Sequence, residues 1–281
     1  MSSKPEPGRE GNPLLEGGQP EGEQPEGGQP EGEQPEGEQP EGGQPEGGQP
    51  APPQPDNRRD DNWASNRDHL EVGQVPVGAN ASRVQGRRLT GPQQGFGQLW
   101  QKTFKVAIPG KTPQQVISTW KAEYGRFWPQ NTRFYAPVTG IKPGEIGLIK
   151  STQGGLPLST GVLVLYSDDV SFSYMTPEGH PFAGFITFSA HDEDGTTMAQ
   201  AQLLIRSNDP MYEAGMLAFG SRAEDRMWQH TLQALADYLG SSAPVETKVV
   251  CVDKKRQWKN FRNIRYNGLL PWARSREKNN S

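Results

Sequence analysis

Six short segments with the pattern of β-strands follow one another at regular spacing, and this succession limits the possible folds more than any other feature. Apolar and polar residues alternate within them, and turn-forming residues such as Lys142-Pro143-Gly144 separate them. Strands joined by short turns pair in the antiparallel sense, so the pattern predicts one antiparallel meander. The predicted strands cover 132–141, 145–152, 158–167, 170–176, 182–190 and 197–206.

A further strand and a helix precede the meander. The stretch QLWQKTFKVAIP alternates well enough for a strand that ends at Pro109. In the helix that follows, Thr112 is suited to cap the first turn, Pro113 to occupy its first position and Gln115 to complete a capping box. The apolar residues that recur at helical spacing are Val116, Trp120, Tyr124 and Phe127.

A long amphipathic helix follows the meander in SRAEDRMWQHTLQALADYLG. Ser221 and Glu224 form a capping-box pattern, Trp228 lies on the apolar face, and Gly240 ends the helix. A meander of this length twists and curls, and the last helix can cover its concave face. The predicted fold is α+β: a curved antiparallel sheet of about seven strands around a long C-terminal helix.

This order resembles the START-like helix-grip (SRPBCC) superfamily over residues 97–240. The segments FWPQNTRFYAP, STGVLVLYSDDVSFSYMTPEGH and RSNDPMYEAG are similar to those of an uncharacterised bacterial group within it. The resemblance implies an internal cavity, and members of the superfamily bind lipids, sterols, hormones or polyketides. We therefore expect a hydrophobic or amphipathic small molecule to bind in a cavity. The alternatives are a cyclase- or hydratase-type enzyme acting on such a ligand, and a non-catalytic interaction protein that uses its charged tails.

Charge and composition divide the chain into four regions. Seven EG(G/E)QP pentapeptides run from Glu16 to Pro50 without an apolar side chain other than proline, so residues 1–57 are predicted to be a disordered acidic leader. Residues 58–95 are a polar linker or extended strap, 96–240 the helix-grip domain, and 241–281 a basic aromatic extension. Residues 1–56 carry 13 acidic and 2 basic side chains, whereas 243–281 carry 10 basic and 3 acidic ones.

Several classes of protein are excluded or disfavoured. Cys251 is the only cysteine, so an intrachain disulfide cannot form. The sequence shows neither a signal peptide nor an apolar run long enough to span a membrane, and a cytoplasmic protein is expected. It contains no nucleophile elbow, phosphate loop or dinucleotide fingerprint, and its histidines lack metal-ligand spacing, so no cofactor or metal is expected.

Glu178 and His180 stand in a Pro-Glu-Gly-His turn between two predicted strands. One interpretation is that they only build the turn, with Glu178 facing water. The other places them at the mouth of the cavity as a polar anchor or an acid–base pair, a role that suits histidine because its ordinary pKa is near 6.5.

Arg206 and Asp209 occupy the transition from the last strand to the final helix. Asp209 can begin a turn before Pro210 and pair loosely with Arg206, or Arg206 can point inward and bind a ligand carboxylate or phosphate. If a cavity exists, some aromatic side chains must line it. The predicted ligand-binding residues are Tyr135, Tyr174, Glu178, His180, Arg206 and Trp228.

The extension interleaves basic residues with Trp258, Phe261 and Ile264, which recur every third residue. This edge can dock on the domain and leave the charges exposed. Alternatively it contacts an anionic membrane surface, which the regular apolar spacing favours over a nucleic acid.

Overall fold

The computed structural model describes residues 59–153 and 156–270. The acidic leader predicted for residues 1–57 therefore lies outside the described residues. Among the helices described, none is both long and apolar enough to cross a membrane.

A single sheet of eight antiparallel strands dominates the fold, in the order β2-β3-β4-β5-β6-β7-β1-β8. Strand β1 pairs with β7, the last strand of the meander, so the first and last predicted strands are neighbours. The strands are β1 (Leu99–Ala107), β2 (Thr132–Tyr135), β3 (Ile146–Gln153), β4 (Leu156–Ser167), β5 (Ser171–Met175), β6 (Phe182–Glu193), β7 (Thr196–Ser207) and β8 (Glu246–Asp253).

All six meander strands are present, and the differences from the predicted bounds follow from the turns. β2 ends earlier than predicted because the chain turns at residues 137–140, where the Gly140 amide donates to the Pro137 carbonyl over 2.9 Å. β6 continues beyond its predicted end at residue 190 and reaches Glu193. Its hairpin turns only at Asp194-Gly195, where both residues have positive φ angles, of 52° and 78°.

The first helix begins as predicted. In α1 (Pro113–Ala122) the Gln115 amide donates to Thr112 Oγ1 over 3.2 Å, and the Thr112 amide donates to Gln115 Oε1 over 2.9 Å. These bonds form the capping box. The α-helix ends at Ala122, and a separate 3₁₀ turn, Tyr124–Phe127, carries the remaining apolar residues into the core.

The long helical region near the C-terminus begins earlier than predicted. Helix α2 (Pro210–Gly215) is capped by Asp209, whose carboxylate accepts from the amides of Met211 and Tyr212. A π-helical turn, Met216–Gly220, then leads directly into α3 (Ser221–Tyr238). Glu224 therefore does not complete the predicted capping box, because its carboxylate faces Lys102 of β1 instead. The predicted end holds, since Gly240 follows with a φ of 85°.

The main core lies between one face of the sheet and helices α1 and α3. Inward-facing residues come from all strands of the meander and from β1, for example Phe104 and Val106 of β1 and Phe188 of β6, all fully buried. On α3, Leu232 and Leu235 face them. This is the helix-grip arrangement that the resemblance implies, with an eighth strand added beside β1.

A second apolar cluster covers the opposite face of the sheet. Side chains alternate along a strand, so Ile149 belongs to the main core whereas its neighbour Leu148 belongs to the second cluster. Leu70 and Val84 from the segment before β1 pack there. Val77 of that segment is 98% exposed and takes no part in the packing.

The residues after α3 return to the sheet. β8 pairs with β1, and a 3₁₀ helix, Trp258–Tyr266, follows it. The Gln257 amide donates to the Phe96 carbonyl over 2.7 Å, and Asn263 Nδ2 donates to the Asn208 carbonyl over 2.9 Å. The basic aromatic segment is therefore docked on the sheet and on the start of α2.

Candidate functional site

A cavity of about 670 Å³ opens between the N-terminal half of α3, the region of α2, and the ends of β2, β3 and β6. Its wall combines apolar side chains with a few hydroxyl groups, among which Thr132 and Ser151 hydrogen-bond to each other over 2.8 Å. We call it the first cavity. The lining residues used below are Ser151, Phe182, Gly215, Met216, Ala223, Glu224, Arg226 and His230.

A second cavity of about 350 Å³ lies beside it, towards β1 and β8. The two cavities share Phe182, Met216 and Glu224 as common wall. Met216 opens the π-helical turn, an irregularity that is frequent at functional sites. The charged residues that line the second cavity are Lys102, Arg206, Glu213, Glu224 and Asp225.

Lys102 is a buried cation on the cavity side of β1, with only 3% of its side chain exposed. Its ammonium donates to Glu224 Oε2 over 2.8 Å and to Asp225 Oδ1 over 2.7 Å. Burial disfavours the charged ammonium, but the two carboxylates outweigh burial and raise the pKa of Lys102. The side chain therefore stays charged and holds the first turn of α3 against the sheet.

Glu224 has one carboxylate oxygen that no hydrogen bond uses within the described residues. Its side chain is 5% exposed, and Oε1 is fully buried without a partner. Burial raises the pKa of Glu224, and the opposing effects of the Lys102 ammonium and the Trp228 indole N–H do not cancel this shift. A buried acceptor without a donor of normal geometry is costly, and the Trp228 indole N–H is a donor that approaches this carboxylate.

Arg206 belongs to the wall of the second cavity but does not pair with Asp209. Its Nη1 donates to the carbonyls of Gly97 and Lys255, and its Nη2 donates to Asp253 of β8 over 2.5 Å. Only Nε is buried without a partner. Most of the hydrogen bonds of the guanidinium therefore hold β8 and the turn that follows it.

The structure places Glu178 and His180 in the turn between β5 and β6. The Glu178 amide donates to the Arg88 carbonyl, and its carboxylate lies 3.4 Å from the Arg88 amide, so it holds the segment before β1. The Phe182 amide donates to His180 Nδ1 over 3.0 Å. Burial lowers the pKa of His180 to about 4. The hydrogen bond that Nδ1 donates to the Phe182 carbonyl when the ring is protonated offsets part of this effect. The two side chains share no hydrogen bond or ion pair among the contacts described.

The three predicted aromatic ligand contacts occupy different places. Tyr135 packs in the second apolar cluster, on the face of the sheet away from both cavities. Tyr174 lies in the main core with its hydroxyl buried and without a partner. Trp228 is buried one turn after Glu224, and its indole N–H approaches Glu224 without a hydrogen bond of normal geometry.

Of the six predicted residues, only Arg206 lines a described cavity, and Trp228 lies next to the wall. The residues that sequence reasoning missed are Lys102, Glu224 and Asp225. A signal for Lys102 was present, because it occupies an inward position in the alternation of β1 together with Phe104 and Val106. A lysine at a core position requires a carboxylate partner, and an acidic pair at the start of a helix that covers the sheet can supply one.

Comparison with known proteins finds no matching family model and no matching curated protein. Several solved structures are similar. Ara h 8.0201 is 11% identical with a TM-score of 0.38 and covers 50% of this chain and 97% of its own. A START superfamily protein from Mycobacterium smegmatis is 18% identical with a TM-score of 0.36, and covers 51% of this chain and 97% of its own.

The di-domain ARO/CYC StfQ from the steffimycin biosynthetic pathway is 9% identical with a TM-score of 0.38, covering 50% of this chain and 51% of its own. Likenesses at these scores carry no argument about function. The helix-grip assignment rests on the strand order and on the helix that packs against the sheet. Membership of a particular bacterial group stays a prediction.

Proposed function

We propose that this protein binds a hydrophobic or amphipathic small molecule in the first cavity. The observation that carries the proposal is the cavity itself, whose volume of about 670 Å³ falls within the usual range for small-molecule sites. Its mostly apolar wall suits a hydrocarbon or ring system, and its few polar groups can orient one end of the ligand. Arg206 and Trp228 remain part of this proposal as neighbours of the common wall.

The test uses a neutral fluorescent probe, N-phenyl-1-naphthylamine, titrated into the full-length chain. We expect saturable fluorescence enhancement with one probe per chain. Gly215→Phe and Ala223→Phe each place a ring at the wall of the first cavity and should weaken binding strongly. A β-carbon at Gly215 meets no atom within 4 Å, so the first substitution fits without a clash near the backbone.

Gly73→Phe is the matched control, because a β-carbon at Gly73 also meets no atom within 4 Å and the residue lines neither cavity. This variant should bind the probe like the wild type. Absence of saturable binding, or equal binding by all the variants at unchanged melting temperature, would refute the proposal. If the probe binds as expected, mass spectrometry of small molecules retained by gently purified protein would identify the natural ligand.

We also propose that residues 254–265 contact an anionic membrane surface. Trp258 and Phe261 are 69% and 46% exposed, and their rings stack with centroids 6.3 Å apart. Phe96 supports both rings edge-on from behind. Ile264 is half-buried. The exposed basic residues around the rings are Lys254, Lys255, Arg256, Lys259, Arg262 and Arg265, and the segment contains no acidic residue.

Exposed aromatic rings among basic side chains match a lipid surface, because the rings insert at the headgroup level while the cations attract anionic lipid. We expect sedimentation with phosphatidylserine-containing vesicles, reduced by salt, and little with phosphatidylcholine alone. The double variant Trp258→Ala/Phe261→Ala should lose most of this binding. Tyr238→Ala removes a ring that is also 46% exposed but lies at the end of α3, and it should bind normally. Tighter binding to a mixed-sequence RNA than to vesicles would contradict the membrane proposal.

A further inference from the structure

The second cavity carries an unequal set of charges. Arg206 is paired with Asp253. Arg256 is paired with Glu213, with Nε and Oε1 separated by 3.0 Å.

Lys102, in contrast, faces two carboxylates, those of Glu224 and Asp225. When both are ionised, the paired charged groups around the second cavity carry one more negative charge than positive charges.

The excess is concentrated at the common wall. Asp225 is partly exposed, with 27% of its side chain accessible, so water can solvate it. Glu224 is buried and lines both cavities, and its Oε1 has no hydrogen bond of normal geometry, although the Trp228 indole N–H approaches this carboxylate. Arg206 Nε, the other unpartnered atom of the second cavity, belongs to a guanidinium that Asp253 already neutralises.

We propose that Glu224 binds the head group of an amphipathic ligand whose apolar part occupies the first cavity, and that this head group is an amine or hydroxyl and not a carboxylate. An amine or hydroxyl donates the hydrogen bond that Oε1 lacks, and an ammonium also neutralises the excess charge. A carboxylate brings no donor and adds a second like charge beside Glu224. This inference rests on the proposed function of the first cavity.

Two basic residues also line the first cavity and must be weighed against this. Arg226 and His230 project from the same helix, but both are exposed. Exposed charges are solvated and screened, so their attraction for an anionic head group is weak. The repulsion of that head group by the buried carboxylate of Glu224 is stronger. An acid that bound with its carboxylate outward would depend on Arg226 and would be insensitive to Glu224.

The experiment compares three ligands with the same chain, decylamine, decanol and decanoate, as competitors of N-phenyl-1-naphthylamine below their micellar concentrations. We expect decylamine to displace the probe at about a tenfold lower concentration than decanoate, with decanol between them. Glu224→Gln keeps the shape of the side chain and removes its charge. In this variant the preference for decylamine over decanoate should disappear while decanol binds nearly as before.

Glu71→Gln is the matched control, since it removes one exposed carboxylate away from both cavities, and it should retain the preference. Equal binding of the three ligands by the wild type, or a preference that survives Glu224→Gln, would overturn the inference and leave the proposed function standing. Tighter binding of decanoate that is lost in Arg226→Ala would also overturn it. If no ligand and no probe binds, both proposals fail. Should Glu224→Gln not fold, the order of the three affinities in the wild type still decides.

Discussion

His180 is a buried histidine, and burial keeps its ring neutral. Its folded pKa is about 4, against an ordinary value of 6.5. Below about pH 6.5 the unfolded chain takes up a proton at this residue while the folded chain does not, so stability falls as the pH falls towards the folded pKa. The loss attributable to His180 between about pH 7 and about pH 4 is about 3 kcal/mol. In His180→Gln this part of the acid-induced loss should be absent.

The measurement is urea unfolding of the wild type and His180→Gln at several pH values, because other acids titrate in the same range and only the difference isolates His180. A constant difference would show that the ring is not held neutral.

The double variant Glu178→Ala/His180→Ala provides a functional comparison. Both side chains serve the turn and the segment before β1, so it should bind N-phenyl-1-naphthylamine with wild-type affinity.

At the residue level, sequence patterns predicted burial better than they predicted polar partnerships. Trp120, Tyr124 and Trp228 were all placed correctly in the core. The pattern of Ser221 and Glu224 matches a capping box, but such a box requires a chain that enters the helix there. This chain arrives already helical, since Asp209 caps it earlier. Glu224 is therefore left to pair with Lys102, a contact that depends on two elements 122 residues apart.

Helix α3 is held to the sheet mainly by its apolar face, and Trp228 is its largest buried side chain. The ring is 3% exposed and lies 5.7 Å from Phe188 and 5.9 Å from Trp128, measured between centroids. Trp228→Ala should lower the free energy of unfolding by about 3–5 kcal/mol, because it removes the transfer energy of the indole and leaves a cavity.

Tyr238→Ala on the same helix is the comparison for this prediction. Tyr238 is 46% exposed and contacts Phe127 edge-on, so its removal should cost less, about 1–2 kcal/mol. Chemical denaturation of the two variants measures both values. A loss below about 1 kcal/mol for Trp228→Ala would mean that the indole does not pack as the structure shows.

Elements with a strong local signal were predicted, and those defined by distant contacts were not. The meander strands alternate and end at clear turns, and α1 carries a complete cap. β8 has no comparable signal, since Val249, Val250 and Val252 are all more than two-fifths exposed and lie on both faces of an edge strand. It exists because β1 offers an unpaired edge beside it. Helix α2 was interpreted as a turn because an Asp-Pro pair suits both a turn and a helix start.

At the level of the whole molecule, the chain after α3 supplies hydrogen-bond and ion-pair partners to polar groups that would otherwise be buried without them. Asp253 of β8 neutralises Arg206, which is 2% exposed. Asn267 is fully buried, and its side-chain amide donates to Asp209 over 2.8 Å. Burial raises the pKa of Asp209, and this hydrogen bond offsets part of the rise. Asn260 satisfies the Gly95 carbonyl over 2.8 Å. The helix-grip sheet and its C-terminal segment are therefore stabilised together.

This dependence leads to a prediction about truncation. A chain that ends at Ser242 retains all the strands of the meander, β1 and α3, but it leaves Arg206 buried without its carboxylate and exposes the edge of β1. Removing one partner of a buried ion pair costs about 3–5 kcal/mol, and an unprotected edge strand promotes association. We expect a much lower melting temperature and aggregates in light scattering. A chain that ends at Leu270 keeps Asp253, Asn260 and Asn267, so it should melt like the full-length protein. Equal melting of the two truncated chains would show that the segment only covers the domain and that the domain is stable without it.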